Sequence, residues 1–173
     1  EEYFKTHTYD VVVHCAASID QRNPTTTYTN IIMFENVARV FKGKLLYFSS
    51  GAALRGDPPT DPYGLSKWIV DRRIETIANA HALRLWGCYG PGELETRFSA
   101  VCRKEGHVII KKDKYFDFVD VEKVKDVVTK YVDGELDEKE INIVDPHTRL
   151  LSEWAVFFGA TYEVLEPGYD VPY

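Results

Sequence analysis

The chain has 173 residues, of which 45% are hydrophobic and 28% charged. That is the make-up of a soluble globular protein able to bury about two thirds of its unfolded surface in one large domain or one and a part. A net charge of -6 and a pI near 5.4 argue against a nucleic-acid or anionic-membrane partner, since either needs a basic face. Cys15, Cys88 and Cys102 lie far apart without a CxxC pair, so neither a disulfide framework nor a metal site is expected and a reducing, cytoplasmic setting is. No apolar run reaches the 18 or so residues of a membrane span, and no signal-peptide pattern opens the chain.

In chain order, Asp10–Ala16 is a nearly continuous apolar run, the pattern of a strand buried on both faces of a parallel sheet. Apolar residues at helical spacing across 25–41 (Ile31, Ile32, Phe34, Val37, Val40, Phe41) predict a helix that stops at Gly43. Lys44–Ser49 is the next strand. Asp61-Pro62 pairs an N-cap with a proline at the first helical position and opens a helix expected to reach Ala80. Leu83–Cys88 reads as a third strand. Alternating strand and helix implies right-handed crossovers and a parallel sheet covered by helices. Beyond Pro91 we expect a helix at 94–105, strands at 107–111 and 116–119, a helix at 121–133, a strand at 140–144 and a helix at 150–158. The Glu135–Glu140 run reads as a solvated turn, and Arg55-Gly56-Asp57 as an ordinary strand-end turn rather than an adhesion signal. As the first strand, Val11–Ala16 has a neighbour on one side only, which leaves an open apolar edge. The chain therefore reads as the later part of a larger sheet.

The chemistry candidate is Tyr63 with Lys67. Four residues apart on a helix, they share a face and can converge on one ligand. A nearby ammonium favours a phenolate, and so suits a tyrosine to acid/base work on an alcohol. The spacing alone is worth little, because about one such pair is expected by chance in a chain of this composition. For His14 the competing reading is a satisfied, half-buried core histidine, and Cys15 and Cys88 read as small packing residues.

Context decides for chemistry. YDVVVHCAA (Tyr9–Ala17), Tyr28-Thr29-Asn30, LLYFSS (Leu45–Ser50), PYGLSK (Pro62–Lys67), LRLWGCYGPGE (Leu83–Glu93), FDFVDVEKV (Phe116–Val124) and INIVD (Ile141–Asp145) stand in the order seen in extended short-chain dehydrogenases/reductases. The chain resembles that NAD-dependent sugar epimerase/dehydratase family along nearly its whole length. The resemblance implies an α/β fold, a Rossmann-like doubly wound parallel sheet without its N-terminal strands, plus a small C-terminal α+β substrate-binding part. Residues 1–90 would be the later part of the cofactor domain, 91–118 substrate-binding, 119–147 a return to the Rossmann-like part and 148–173 substrate-binding again. It further implies NAD or NADP, a nucleotide-sugar substrate and a homodimer. Tyr63 would be the acid/base, with Lys67 on the nicotinamide ribose and Ser50 the third catalytic group. His14, Ala16, Ala17, Asn30, Ser49, Tyr89 and Gly90 would join Tyr63 and Lys67 at the cofactor.

Departures from the family pattern are as specific. The usual third catalytic hydroxyl falls on Gly51, so either the adjacent Ser50 substitutes or that hydroxyl is absent. The connection from Gly51 to Tyr63 is short. The usual asparagine before the YGP turn is Gly87, the usual aspartate after the DFV strand is Lys123, and the usual diphosphate-binding arginine is Phe116. Lys112 or Lys114 would supply that charge instead, unless Lys112–Lys114 is simply a solvated hairpin. No GxxGxxG fingerprint for a dinucleotide pyrophosphate occurs among the 11 glycines. The expected activity is an epimerase, dehydratase or reductase acting on a nucleotide sugar. The alternatives are a dehydrogenase-like module without catalysis, or a fragment with no activity of its own.

Overall fold

A computed structural model describes the backbone of residues 2–170 and the side chains of 3, 4 and 6–166. In chain order the elements are α1 (Glu2–Thr6), β1 (Val11–His14), α2 (Thr25–Ala38), β2 (Lys44–Ser50), a 3-10 turn (Gly51–Leu54), α3 (Pro62–Ile74), β3 (Ala80–Leu85), β4 (Gly87–Tyr89), α4 (Phe98–Glu105), β5 (His107–Phe116), β6 (Phe118–Asp120), α5 (Val121–Val132), β7 (Glu140–Asn142), β8 (Arg149–Leu150), α6 (Leu151–Phe157) and β9 (Thr161–Asp170). They form two compact units, one of residues 1–85 with 126–143 and the other of 86–125 with 144–173.

The first unit is built on a parallel sheet of order β1-β2-β3-β7. Side chains alternate across β2, so Leu45 and Tyr47 face a core completed by Phe34 of α2, Val70 and Ile74 of α3, and Ala80 and Ala82 of β3. His81, one residue out of phase with Ala80 and Ala82, instead packs its ring 5.4 Å from that of Tyr131 on α5. Helices thus cover both faces, the arrangement a doubly wound Rossmann-like sheet requires. Among the described residues β1 pairs with β2 alone and is the edge of this sheet.

Asp61 caps α3 as its sequence implies, accepting the Gly64 N–H at 2.8 Å ahead of Pro62. The helix stops at Ile74 rather than Ala80, because the Thr76 hydroxyl donates to the Arg73 carbonyl at 2.8 Å and the chain turns. Strand β3 accordingly begins at Ala80, and the expected strand 83–88 divides at Trp86 into the end of β3 and a separate β4 that pairs with β6. A Cβ on Gly87 would sit 2.5 Å from the Phe118 ring, which explains why no larger residue stands there.

The second unit carries the largest correction. The strand expected at 107–111 runs on to Phe116, with a register shift between Lys112 and Asp113, through the Lys-rich segment read as a solvated hairpin, and the strand expected at 116–119 is β6. Asp113 turns inward and accepts hydrogen bonds from the Ser152 N–H (3.1 Å) and hydroxyl (2.5 Å) at the start of α6. Strand β5 pairs with β9, which the sequence reading did not include, and briefly with β8. Trp154, Phe158, Phe118, Val108 and Ile110 form the core of this unit.

Candidate functional site

His14, Asn30, Tyr63 and Lys67 gather near the C-terminal ends of β1 and β2. Gly64 lets the first turn of α3 come against the 3-10 turn, since a Cβ there would lie 2.7 Å from the Ala52 carbonyl oxygen. Asn30 then ties three segments together. Its Oδ1 accepts the Ser18 N–H (2.7 Å), and its Nδ2 donates to the Ser18 carbonyl (3.0 Å) and the Ser66 hydroxyl (2.8 Å). Ser66 in turn donates to the Tyr63 carbonyl at 2.7 Å, and Thr27 to that of Pro62 at 2.8 Å. The turn after β1, helix α2 and helix α3 are fixed to one another through a fully buried amide.

Lys67 is 3% exposed and donates from Nζ to the Phe48 carbonyl at 2.7 Å. Its ammonium lies 4.4 Å from the Tyr47 ring centroid and 5.7 Å from that of Tyr63. Burial pushes Lys67 down to about 8, against the opposing pull of Asp71 and Cys15. Tyr63 is half-buried at the mouth of this arrangement. His14 is 6% exposed, its ring 5.5 Å from that of Tyr47 and its Nδ1 without a hydrogen-bond partner. Burial lowers its pKa, so it stays neutral near neutral pH. His14 and Ala16 line a groove of about 540 Å³ beside β1, whose other walls include Cys15, Met33 and Val37.

The two serines are placed differently from each other. Ser49 donates to Asp71 Oδ2 at 2.8 Å, and the Ser50 hydroxyl accepts the Ala52 N–H at 3.2 Å at the start of the 3-10 turn. Tyr89 and Gly90 belong to the second unit, where they help line a cavity of about 270 Å³ with Cys88, Glu93, Arg97 and Val121. Lys114 lies over the Phe116 ring at 5.8 Å.

Two features escaped the sequence reading. One is Tyr47 beneath Lys67. The other is a chain of charge in which Arg84 donates to Asp71 Oδ2 at 2.9 Å, to Glu140 at 2.5 Å and to Asn142 at 3.2 Å. Asp71 lies one helical turn beyond Lys67, which was the available signal, and its link to Ser49 fastens the end of β2 to α3.

The sequence matches the model of the NAD dependent epimerase/dehydratase family over residues 1–143, and the chain belongs to that family. No curated protein matches it. Among solved structures it is similar to dTDP-4-dehydrorhamnose reductase from Bacillus anthracis in complex with NADP, with 16% identity, a TM-score of 0.79 and coverage of 97% of this chain and 72% of that one. It is also similar to the Bordetella bronchiseptica enzyme WbmG in complex with NAD and UDP, with 22% identity, a TM-score of 0.78 and coverage of 99% and 63%. UDP-N-acetylglucosamine 4-epimerase from Bacillus cereus shares 17% identity at a TM-score of 0.75, with coverage of 95% and 68%. At these identities the likeness is one of fold, and it fits the parallel sheet described above.

Proposed function

We propose that this protein takes part in NAD(P)-dependent hydride exchange at a carbinol of a nucleotide sugar, as an epimerase, dehydratase or reductase, with Tyr63 as acid/base. The observation that carries this reading is the buried Lys67 ammonium held 5.7 Å from the Tyr63 ring at the strand ends of a sheet of this family. Family membership and the NADP, NAD and UDP named for similar structures support the choice of cofactor and substrate class.

The residues fit the nicotinamide-ribose end of such a cofactor. Small residues at Cys15-Ala16-Ala17 and the apolar groove beside β1 admit a flat ring, and Lys67 offers N–H groups to hydroxyls. No glycine-rich pyrophosphate turn is among these 173 residues. A bound nicotinamide would supply or accept the hydride. Lys67 orients the hydroxyls it touches and favours the Tyr63 phenolate, and Tyr63 takes or returns the proton at the carbinol oxygen. His14, Ala16, Ala17 and Asn30 shape the strand end in this reading. A cytoplasmic homodimer belongs to it too, and a monomer in sedimentation of the full-length protein would count against that part.

Tyr63→Phe in the full-length protein should lower turnover of its nucleotide sugar by about 10²–10⁴-fold. Wild-type turnover in that variant would sink the proposal. A second reading, a module that binds but does not react, draws on the absence of a hydroxyl at Gly51 and on the commitment of Ser49 and Ser50 to Asp71 and Ala52. Nicotinamide absorbance or fluorescence separates the two. Cofactor reduction on adding any nucleotide sugar excludes the inert module.

A further inference from the structure

Tyr47 has no role in the reading above, yet it is the aromatic ring nearest to the Lys67 ammonium. It is 1% exposed and wedged between Phe34, whose ring lies 5.2 Å away, and His14. Its hydroxyl has no hydrogen-bond partner among the described residues, so the hydroxyl does not explain a tyrosine here. Its ring face does. Lys67 Nζ stands 4.4 Å from the centroid, well inside the roughly 6 Å range over which an aromatic quadrupole attracts a cation.

The rest of the surroundings offer that cation little. One of its three N–H groups goes to the Phe48 carbonyl. No carboxylate pairs with it among the described residues, and Asp71, one turn along α3, is engaged by Arg84 and Ser49. The other titratable groups facing it are the Cys15 thiol after β1, the neutral His14 on β1 and the Tyr63 phenol on its own helix. A carboxylate in place of Tyr47 would neutralise the ammonium and occupy its N–H groups. A ring stabilises the charge and leaves those donors to a ligand.

We propose that Tyr47 is a positioning residue, whose ring holds the Lys67 ammonium charged in a buried site without a counter-carboxylate and so keeps its charge and free N–H groups available to Tyr63 and a bound polyol. The proposal rests on the assignment of Tyr63 and Lys67 given under the proposed function. It is specific to the ring, and so predicts that shape-preserving changes in the ring's electrons alter Lys67.

The test is an NMR titration of the Lys67 side chain in full-length protein carrying isotope-labelled lysine, with Lys67→Arg assigning the resonance. Tyr47→Phe should titrate like the wild type. Replacing Tyr47 with phenylalanines bearing one, two and three fluorines, which weaken the quadrupole at nearly constant shape, should lower the midpoint stepwise by about one pH unit in all. Tyr47→Leu should fall as far, and the fluorinated series carries the test if that variant does not fold. A midpoint that stays put across the series overturns the proposal, as does a Tyr47→Phe shift as large as that of the trifluoro variant. Because the titration needs neither cofactor nor turnover, it is independent of the Tyr63→Phe assay. A midpoint that moves while the pH profile of turnover does not would uphold the ring contact and overturn the acid/base assignment.

Discussion

Two buried cations, Lys67 and Arg84, are handled in opposite ways within the same sheet. Lys67 receives one carbonyl and an aromatic face, and burial lowers its pKa to about 8. Arg84, 5% exposed, suffers the same burial, but hydrogen bonds to Glu140 and Asp71 more than offset it and raise its pKa. One cation is left responsive and the other is locked. The difference lies in counter-charge: a paired buried cation holds structure, whereas an unpaired one costs stability and is kept where chemistry needs it.

Removing the locked cation should have the larger effect. Arg84→Met leaves the Asp71 carboxylate buried without its partner and should cost about 3–5 kcal/mol in denaturant unfolding. A loss under about 1 kcal/mol would show that the pair is not the lock described. Lys67→Met should act with the opposite sign. The folded protein releases the Lys67 proton near pH 8 and the unfolded chain near its ordinary 10.5, so between these values the unfolded chain binds more protons and this group makes stability rise with pH. Below pH 8 both states are protonated, and the charge disfavours the fold by up to about 3 kcal/mol. The variant should therefore be more stable than wild type at pH 7, lose that advantage by pH 10.5 and be inactive. A variant less stable at pH 7 than at pH 10, relative to wild type, contradicts this account.

The contrast also marks what could be read from the chain. Tyr63, Lys67 and the Asp61-Pro62 cap are local, set by helical spacing and one turn of capping chemistry, and the apolar run of β1 and the helix at α2 are equally visible. The Asp71–Arg84 pair was not, because two charged residues 13 positions apart read as solvated until strand register brings β3 beside β2 and seals both. Tyr47 was hidden for a related reason: on a strand it looks like any core aromatic, and only α3 crossing above it makes it a platform. The same limit explains β5 and β9. Lys112–Lys114 looks like a solvated hairpin unless Asp113 is known to bond Ser152 at the start of α6, and Thr161–Asp170 contains charges, Pro167 and Gly168 that blur any strand pattern.

The smallest effect tests whether the lock has a rigid core and a soft rim. Glu140 also bonds Arg84, at 2.5 Å, but its side chain is 44% exposed, and Asn142 accepts from the same Arg84 nitrogen at 3.2 Å. Water screens the outer arm and the amide replaces part of it, whereas among the described residues Asp71 alone accepts from Arg84 Nη2. Glu140→Gln should therefore cost less than about 1 kcal/mol. In double-mutant cycles the Arg84–Asp71 coupling should exceed the Arg84–Glu140 coupling several-fold. Equal couplings would mean that both carboxylates share Arg84 evenly, and Lys67 would then owe its difference from Arg84 to desolvation alone rather than to the placement of a buried counter-charge.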